Sequence, residues 1–159
     1  MDLKVKLYLE RAENKIILAR TNFNISINKE LKYQLKIPAE KTFFNDIISD
    51  SYYAIFYAAK AYLLTKGIIT RAPEEHKKTY LELKKIVDSG KLDNQLWEIY
   101  EKEADKADSL LSIFYLEKGK RGKFTYNVNA NANIPFAQES IDNAIKFVSN
   151  IKAIIDHDF

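Results

Sequence analysis

Residues 49–64 read Ser49-Asp-Ser-Tyr-Tyr-Ala-Ile-Phe-Tyr-Ala-Ala-Lys-Ala-Tyr-Leu-Leu64, and the rest of the chain is organised around them. From Tyr52 to Leu64 the only charge is Lys60. The run has no Gly or Pro and a single β-branched residue, Ile55. Ala, Leu and Lys are good helix formers, so the spacing predicts a helix. A helix apolar on nearly every side must be enclosed by other elements. It is therefore expected to be the central post of a helical bundle. Tyr52, Tyr53, Tyr57 and Tyr62 give that post hydroxyls, each needing a partner or an exit to water.

Working outward, helical periodicity recurs along the chain. Val5, Leu9, Ala12, Ile16, Ala19 and Phe23 form one face of a first helix. Residues 24–41 break the pattern: Ile25, Ile27, Leu31, Tyr33, Leu35 and Ile37 alternate with polar residues. A lone strand has no partner, so this segment reads as a long connection laid on the bundle. The central helix is expected over 42–66, ending at Gly67. Pro73, followed by Glu74 and Glu75, opens a third helix with Tyr80, Leu83, Ile86 and Val87 inward. A fourth carries Leu92, Leu96, Ile99, Ala104, Ala107, Leu111 and Phe114 and stops at Lys118-Gly119, before a polar loop over 120–135. The fifth has Ala137, Ile141, Ala144, Val148, Ile151 and Ile155 at unbroken helical spacing. The expectation is one all-α domain over residues 1–159, an up-and-down bundle of about five helices.

Composition bounds the function. A hydrophobic fraction of 47% over 159 residues suits one domain with a real core. A formal charge of +3 is too small to argue for nucleic acid without a local patch. Without cysteine there is neither a disulfide framework nor a thiolate metal site. The charged start of the chain lacks the apolar region of a signal peptide. The longest apolar run, broken by Lys60, is short for a membrane span. These features read as a soluble cytoplasmic domain with no membrane partner.

Two places carry candidate chemistry. His76 falls in the first turn of the third helix, where the positive helix end disfavours imidazolium and Glu74 and Glu75 favour it. A neutral His there is a candidate general base; the plainer reading is a surface residue near a helix cap. Lys118, Lys120, Arg121 and Lys123, followed by Phe124 and Tyr126, form a basic and aromatic run in the expected loop. It could hold a phosphate backbone and stack a base, although short charged runs are more often simply solvated. His157, between Asp156 and Asp158, reads as a solvated tail residue. Glu101, Glu103, Asp105 and Asp108 form an acidic segment whose plainer role is pairing with lysines. No metal-ligand cluster, nucleotide-binding glycine loop or cofactor motif is present.

The stretch from Ser49 to Gly67 resembles HEPN domains (higher eukaryotes and prokaryotes nucleotide-binding), whose corresponding helix reads Ser-Arg-Ala-Tyr-Tyr-Ala-x-Phe-x-Ala before Leu-Leu and Gly. Leu9 to Arg20 is similar to that family's first helix. His76 falls where many members have a His. Arg121 to Tyr126 resembles its Arg-x-x-x-Asp-Tyr loop. The chain departs from the pattern at Asp50, where Arg is common, and at Thr125, where Asp is usual. The resemblance implies a helical-bundle homodimer, often a toxin paired with a nucleotidyltransferase-like antitoxin and often a metal-independent ribonuclease without cofactor. The family's Arg, four to six residues, then His motif maps onto Arg71 and His76 as the catalytic pair, with Ala72 where a polar residue is usual. Tyr52, Tyr53, Lys120, Arg121, Lys123 and Tyr126 are then the RNA- or nucleotide-binding residues. Two alternatives stay open: a non-catalytic module binding a nucleotide or a protein in the cleft of Tyr52, Tyr53, Arg121 and Tyr126, and a bundle serving only packing and assembly.

Overall fold

The structure, a computed structural model, describes residues 2–100, 106–127 and 131–158, with side chains at all of these except 96–100, 106 and 107. Among the described residues every regular element is a helix: α1 Leu3–Ile27, α2 Lys29–Gln34, α3 Phe44–Thr65, α4 Glu75–Asp88, α5 Lys91–Tyr100, α6 Lys106–Tyr126 and α7 Ile134–His157. The chain is an all-α bundle. No helix among the described residues is long and apolar enough to cross a membrane.

The central post is α3. It packs against α1, α7, α6 and α4. Tyr52, Ile55, Ala58, Ala59, Tyr62 and Leu63 on it are buried. Three of its four tyrosine hydroxyls find partners in His76, Arg121 and Gln95. The small Ala58, Ala59 and Ala61 admit neighbouring helices, and α7 brings Phe147, Ile151 and Ile155 into the same core. A smaller cluster joins Ala19, Phe44, Ile47, Ala137 and Ile141. The expected faces of α1 and α7 are the ones that pack.

Four expectations need correction. Residues 24–41 are not one long connection: α1 runs on to Ile27, and the Asn28 side chain accepts from Leu31 N at 3.0 Å and opens the one-and-a-half-turn α2. The alternating apolar residues do not blanket the bundle either, since Ile27, Tyr33 and Leu35 are exposed. Helix α4 begins at Glu75, two residues beyond Pro73, after Glu74 turns the chain with φ 58°.

The expected fourth helix is two, α5 and α6. Leu92, Leu111 and Phe114 are buried as anticipated. Ala104 and the side chains of Leu96, Ile99 and Ala107 lie outside the described residues, as do Glu101, Glu103 and Asp105. Finally, α6 does not stop at Gly119. It passes Gly119 and Gly122 and ends at Tyr126, so the basic run lies on a helix. Burial of Phe124 against Phe136 and the ion pair of Lys120 with Glu139 hold this segment on α7, which outweighs the weak helix propensity of two glycines. The polar segment after it is therefore shorter than expected. Asn129 lies outside the described residues, and Asn133 caps α7 by accepting from Phe136 N at 3.3 Å.

Candidate functional site

Two turns of α3 build the floor of a cup. Tyr52 and Phe56 are an i,i+4 pair, as are Tyr53 and Tyr57, so four rings share adjoining faces of one helix. Tyr52 and Phe56 are stacked at 6.4 Å, and Tyr53 meets Tyr52 edge-on at 5.7 Å. The second residue of α4, His76, lays its imidazole on Phe56 with centroids 4.1 Å apart and stands 5.6 Å from both Tyr52 and Tyr53. From α6, Arg121 covers the same tyrosines, its guanidinium carbon 5.2 Å from the Tyr52 ring and 4.8 Å from the Tyr53 ring. Three helices thus converge on a half-exposed Arg and a half-exposed His.

The hydrogen bonds are specific. Tyr52 is fully buried, and its hydroxyl lies 2.9 Å from His76 Nδ1. A buried O–H requires an acceptor, and Nδ1 is the one it reaches. This arrangement selects the neutral tautomer with the proton on Nε2. Burial pushes the Tyr52 phenol above its ordinary value, which keeps the hydroxyl a donor. Burial, and then the Arg121 charge, hold His76 below the ordinary imidazole value; Lys118 and Lys60 add to this and Glu75 opposes it. His76 is therefore a neutral ring that presents a donor.

Arg121 presents more donors. Its Nη2 donates to Tyr53 Oη at 2.9 Å and to Tyr126 Oη at 2.5 Å. Its Nε is buried and has no hydrogen-bond partner among the described residues. No carboxylate among the described residues pairs with it. An anion would complete a part-buried guanidinium lined by phenol oxygens and ring faces.

The sequence candidates divide on this geometry. Tyr52, Tyr53, His76, Arg121 and Tyr126 come together. Lys120 turns to the other side of α6 and pairs with Glu117 at 3.1 Å and with Glu139 on α7, leaving its side chain 9% exposed. Lys123 is exposed near Phe124. Arg71 is exposed beside a cleft shared with Tyr8, Lys60 and Glu75, and the guanidinium that acts on His76 is Arg121. Phe56, the ring closest to His76, was part of the central stretch but not singled out; its i,i+4 relation to Tyr52 was the available signal. His157 is exposed at the end of α7. No group of three or more His, Cys, Asp or Glu among the described residues could hold a metal ion.

No protein-family model matches the chain, and no curated protein matches it.

Proposed function

We propose that the chain is a HEPN-like helical module that holds a phosphate group of RNA or of a nucleotide in the cup formed by Tyr53, His76, Arg121 and Tyr126. The observation that carries this reading is Arg121, a guanidinium with a buried unpartnered Nε and no carboxylate among the described residues. Beside it the neutral His76 offers Nε2–H, a second donor for the same anion. Tyr126, 67% exposed, stands at the rim with a face on which a base can stack. The likeness of residues 49–67 and 121–126 to the HEPN pattern supports the same assignment.

A metal-independent ribonuclease is the second reading, supported by the closeness of His76 and Arg121 over the same tyrosines. In it His76 acts from its protonated form: the imidazolium gives its Nε2 proton to the leaving 5′-oxygen and returns to the neutral ring, while Arg121 takes the charge that builds on the phosphate. The 2′-oxygen bonds to phosphorus, the bond from phosphorus to the 5′-oxygen breaks, and a cyclic phosphate and a 5′-hydroxyl result. The base for the 2′-hydroxyl would be the neutral His76 of a second copy, which takes that proton in a two-fold dimer whose cleft is shared by both imidazoles. In this reading the role first mapped to Arg71 passes to Arg121. A nucleotidyltransferase-like partner belongs to the same proposal.

One experiment separates the readings. Titrate the protein with a dinucleotide, and incubate it with labelled RNA in chelator, for the natural sequence, Arg121→Gln and His76→Ala. Binding lost in Arg121→Gln, without cleavage by any form, supports the binding module. Cleavage by the natural protein that is lost in His76→Ala supports the ribonuclease. Binding that is indifferent to Arg121 removes the cup as the site.

A further inference from the structure

The connection between α3 and α4, residues 66–74, walls a second cavity. Gly67 turns the chain there with φ 73°, and Ile68 N donates back to Leu63 O at 2.9 Å. Farther along, the Thr70 and Thr79 hydroxyls share a hydrogen bond at 2.7 Å, and Lys60 Nζ donates to Thr70 O at 3.4 Å. The wall is therefore fixed to both flanking helices by bonds of the chain itself. Between it, α1 and α3 lies a cleft of about 380 Å³. That falls within the roughly 300–1,000 Å³ of small-molecule sites.

Two kinds of surface line the cleft. One is aliphatic: Leu64 and Ile68 pack on the core but are only half-buried, and Ile69 is 59% exposed. The other is basic. Lys4 and Arg71 are exposed, and neither side chain pairs with a carboxylate among the described residues. Glu75 is the only acid on the described lining, and Lys60 already pairs with it. Lys4 and Arg71 are left as unmatched charge.

This combination selects among ligands. A metal ion or organic cation meets the wrong charge. A neutral apolar molecule leaves both cations unused. A nucleotide needs a ring face for its base, and Tyr8, the one aromatic residue on the described lining, is covered by Lys60 Nζ at 5.0 Å and by Tyr57 at 6.2 Å. Inorganic phosphate would satisfy the cations and leave the aliphatic wall in water. A carboxylate on an aliphatic chain uses both surfaces. Its chain covers Leu64, Ile68 and Ile69, and its two oxygens match the paired donors of a guanidinium.

We propose that this cleft binds a small aliphatic carboxylate of the medium-chain fatty-acid type, anchored by Arg71. The proposal is independent of the reading of the cup, since Tyr53, His76, Arg121 and Tyr126 do not line the cleft. It also gives Arg71 a role apart from His76.

The test is an amide NMR titration of the natural sequence with octanoate, hexanoate, 1-octanol, adenosine monophosphate and inorganic phosphate, with octanoate repeated on Arg71→Gln, Ile69→Asn and Arg121→Gln. Arg71 and Ile69 are exposed, so both variants are expected to keep the spectrum of the folded chain. Octanoate should shift the amides of residues 68–72 and saturate at a single site. Hexanoate should bind about tenfold more weakly, from the loss of two methylenes. Arg71→Gln should weaken octanoate about tenfold. Ile69→Asn should weaken it as well, and Arg121→Gln should leave it unchanged. No octanoate binding at millimolar concentration, equal binding of 1-octanol, or an affinity indifferent to Arg71 would overturn the proposal. Adenosine monophosphate or phosphate binding more tightly than octanoate through Arg71 would overturn the assignment to a carboxylate. Octanoate lost in Arg121→Gln would move the carboxylate to the cup and overturn the cleft as its site.

Discussion

Tyr52 and Tyr62 lie on the same helix, both fully buried, both with hydroxyls whose acidity burial suppresses. Their partners set them apart. Tyr62 donates to Gln95 Oε1 at 2.7 Å, and Gln95 in turn donates to Asp158, which is already paired with Lys66 at 2.9 Å. Every charge in that chain has its opposite. Tyr52 ends on an imidazole held neutral under a guanidinium that has no carboxylate among the described residues. The same contrast recurs between neighbours on α6: Lys120 faces two carboxylates, and Arg121 faces none among the described residues. Tyr52 and Tyr62 are equally buried, so burial alone does not mark a site. Charge that the bundle leaves unmatched does.

The largest expected effect tests whether the two ends share one scaffold. Phe114 is fully buried and touches Tyr52, Tyr80 and Phe147 at 6.1, 5.7 and 5.8 Å. Phe114→Ala is expected to cost about 3–5 kcal/mol in denaturant unfolding, from lost burial plus the cavity left behind. A cost near zero would mean that the cup is not built on the core.

Next come the two tyrosines. Tyr62→Phe and Tyr52→Phe each remove one buried hydrogen bond and should each cost about 1 kcal/mol. Only Tyr52→Phe should change nucleotide binding, because it frees His76 Nδ1 and the tautomer with it. Equal loss of binding in both variants would erase the distinction between the two ends.

The smallest effect concerns α6. Gly122 lies inside that helix, and a Cβ there meets nothing within 4 Å. Gly122→Ala should raise stability by about 0.5–1 kcal/mol through the lower entropy of the unfolded chain. Destabilisation would argue that α6 ends earlier, and with it that Arg121 sits on a loop.

Much of the bundle was legible in the sequence, for a physical reason. Helical spacing of apolar residues reports directly on burial, so the faces of α1, α3 and α7 could be read residue by residue. Gly119 and Gly122 misled because propensity is local, whereas α6 is held by Phe124 and by Lys120 reaching across to Glu139 on α7. The short α2 was hidden because so few residues show no clear period. In the site, Tyr52, Tyr53, His76, Arg121 and Tyr126 were identifiable as chemically capable residues. That Lys120 would be neutralised while Arg121 would not depends on which way two adjacent side chains leave a helix. Arg71 was placed with His76 by spacing along the chain, which says nothing of the 4.1 Å stack of His76 on Phe56 that turns the ring toward α6.

The central claim is that Arg121 and burial together keep His76 neutral, and an NMR titration of the His76 imidazole tests it most directly. The account predicts titration below the ordinary imidazole value, and an upward shift in Arg121→Gln. A depressed value also makes the folded chain lose stability as pH falls from about 6.5 toward the folded-state pKa, where the unfolded chain binds the extra proton. A His76 that titrates at or above the ordinary value, or that ignores the loss of Arg121, would contradict the account.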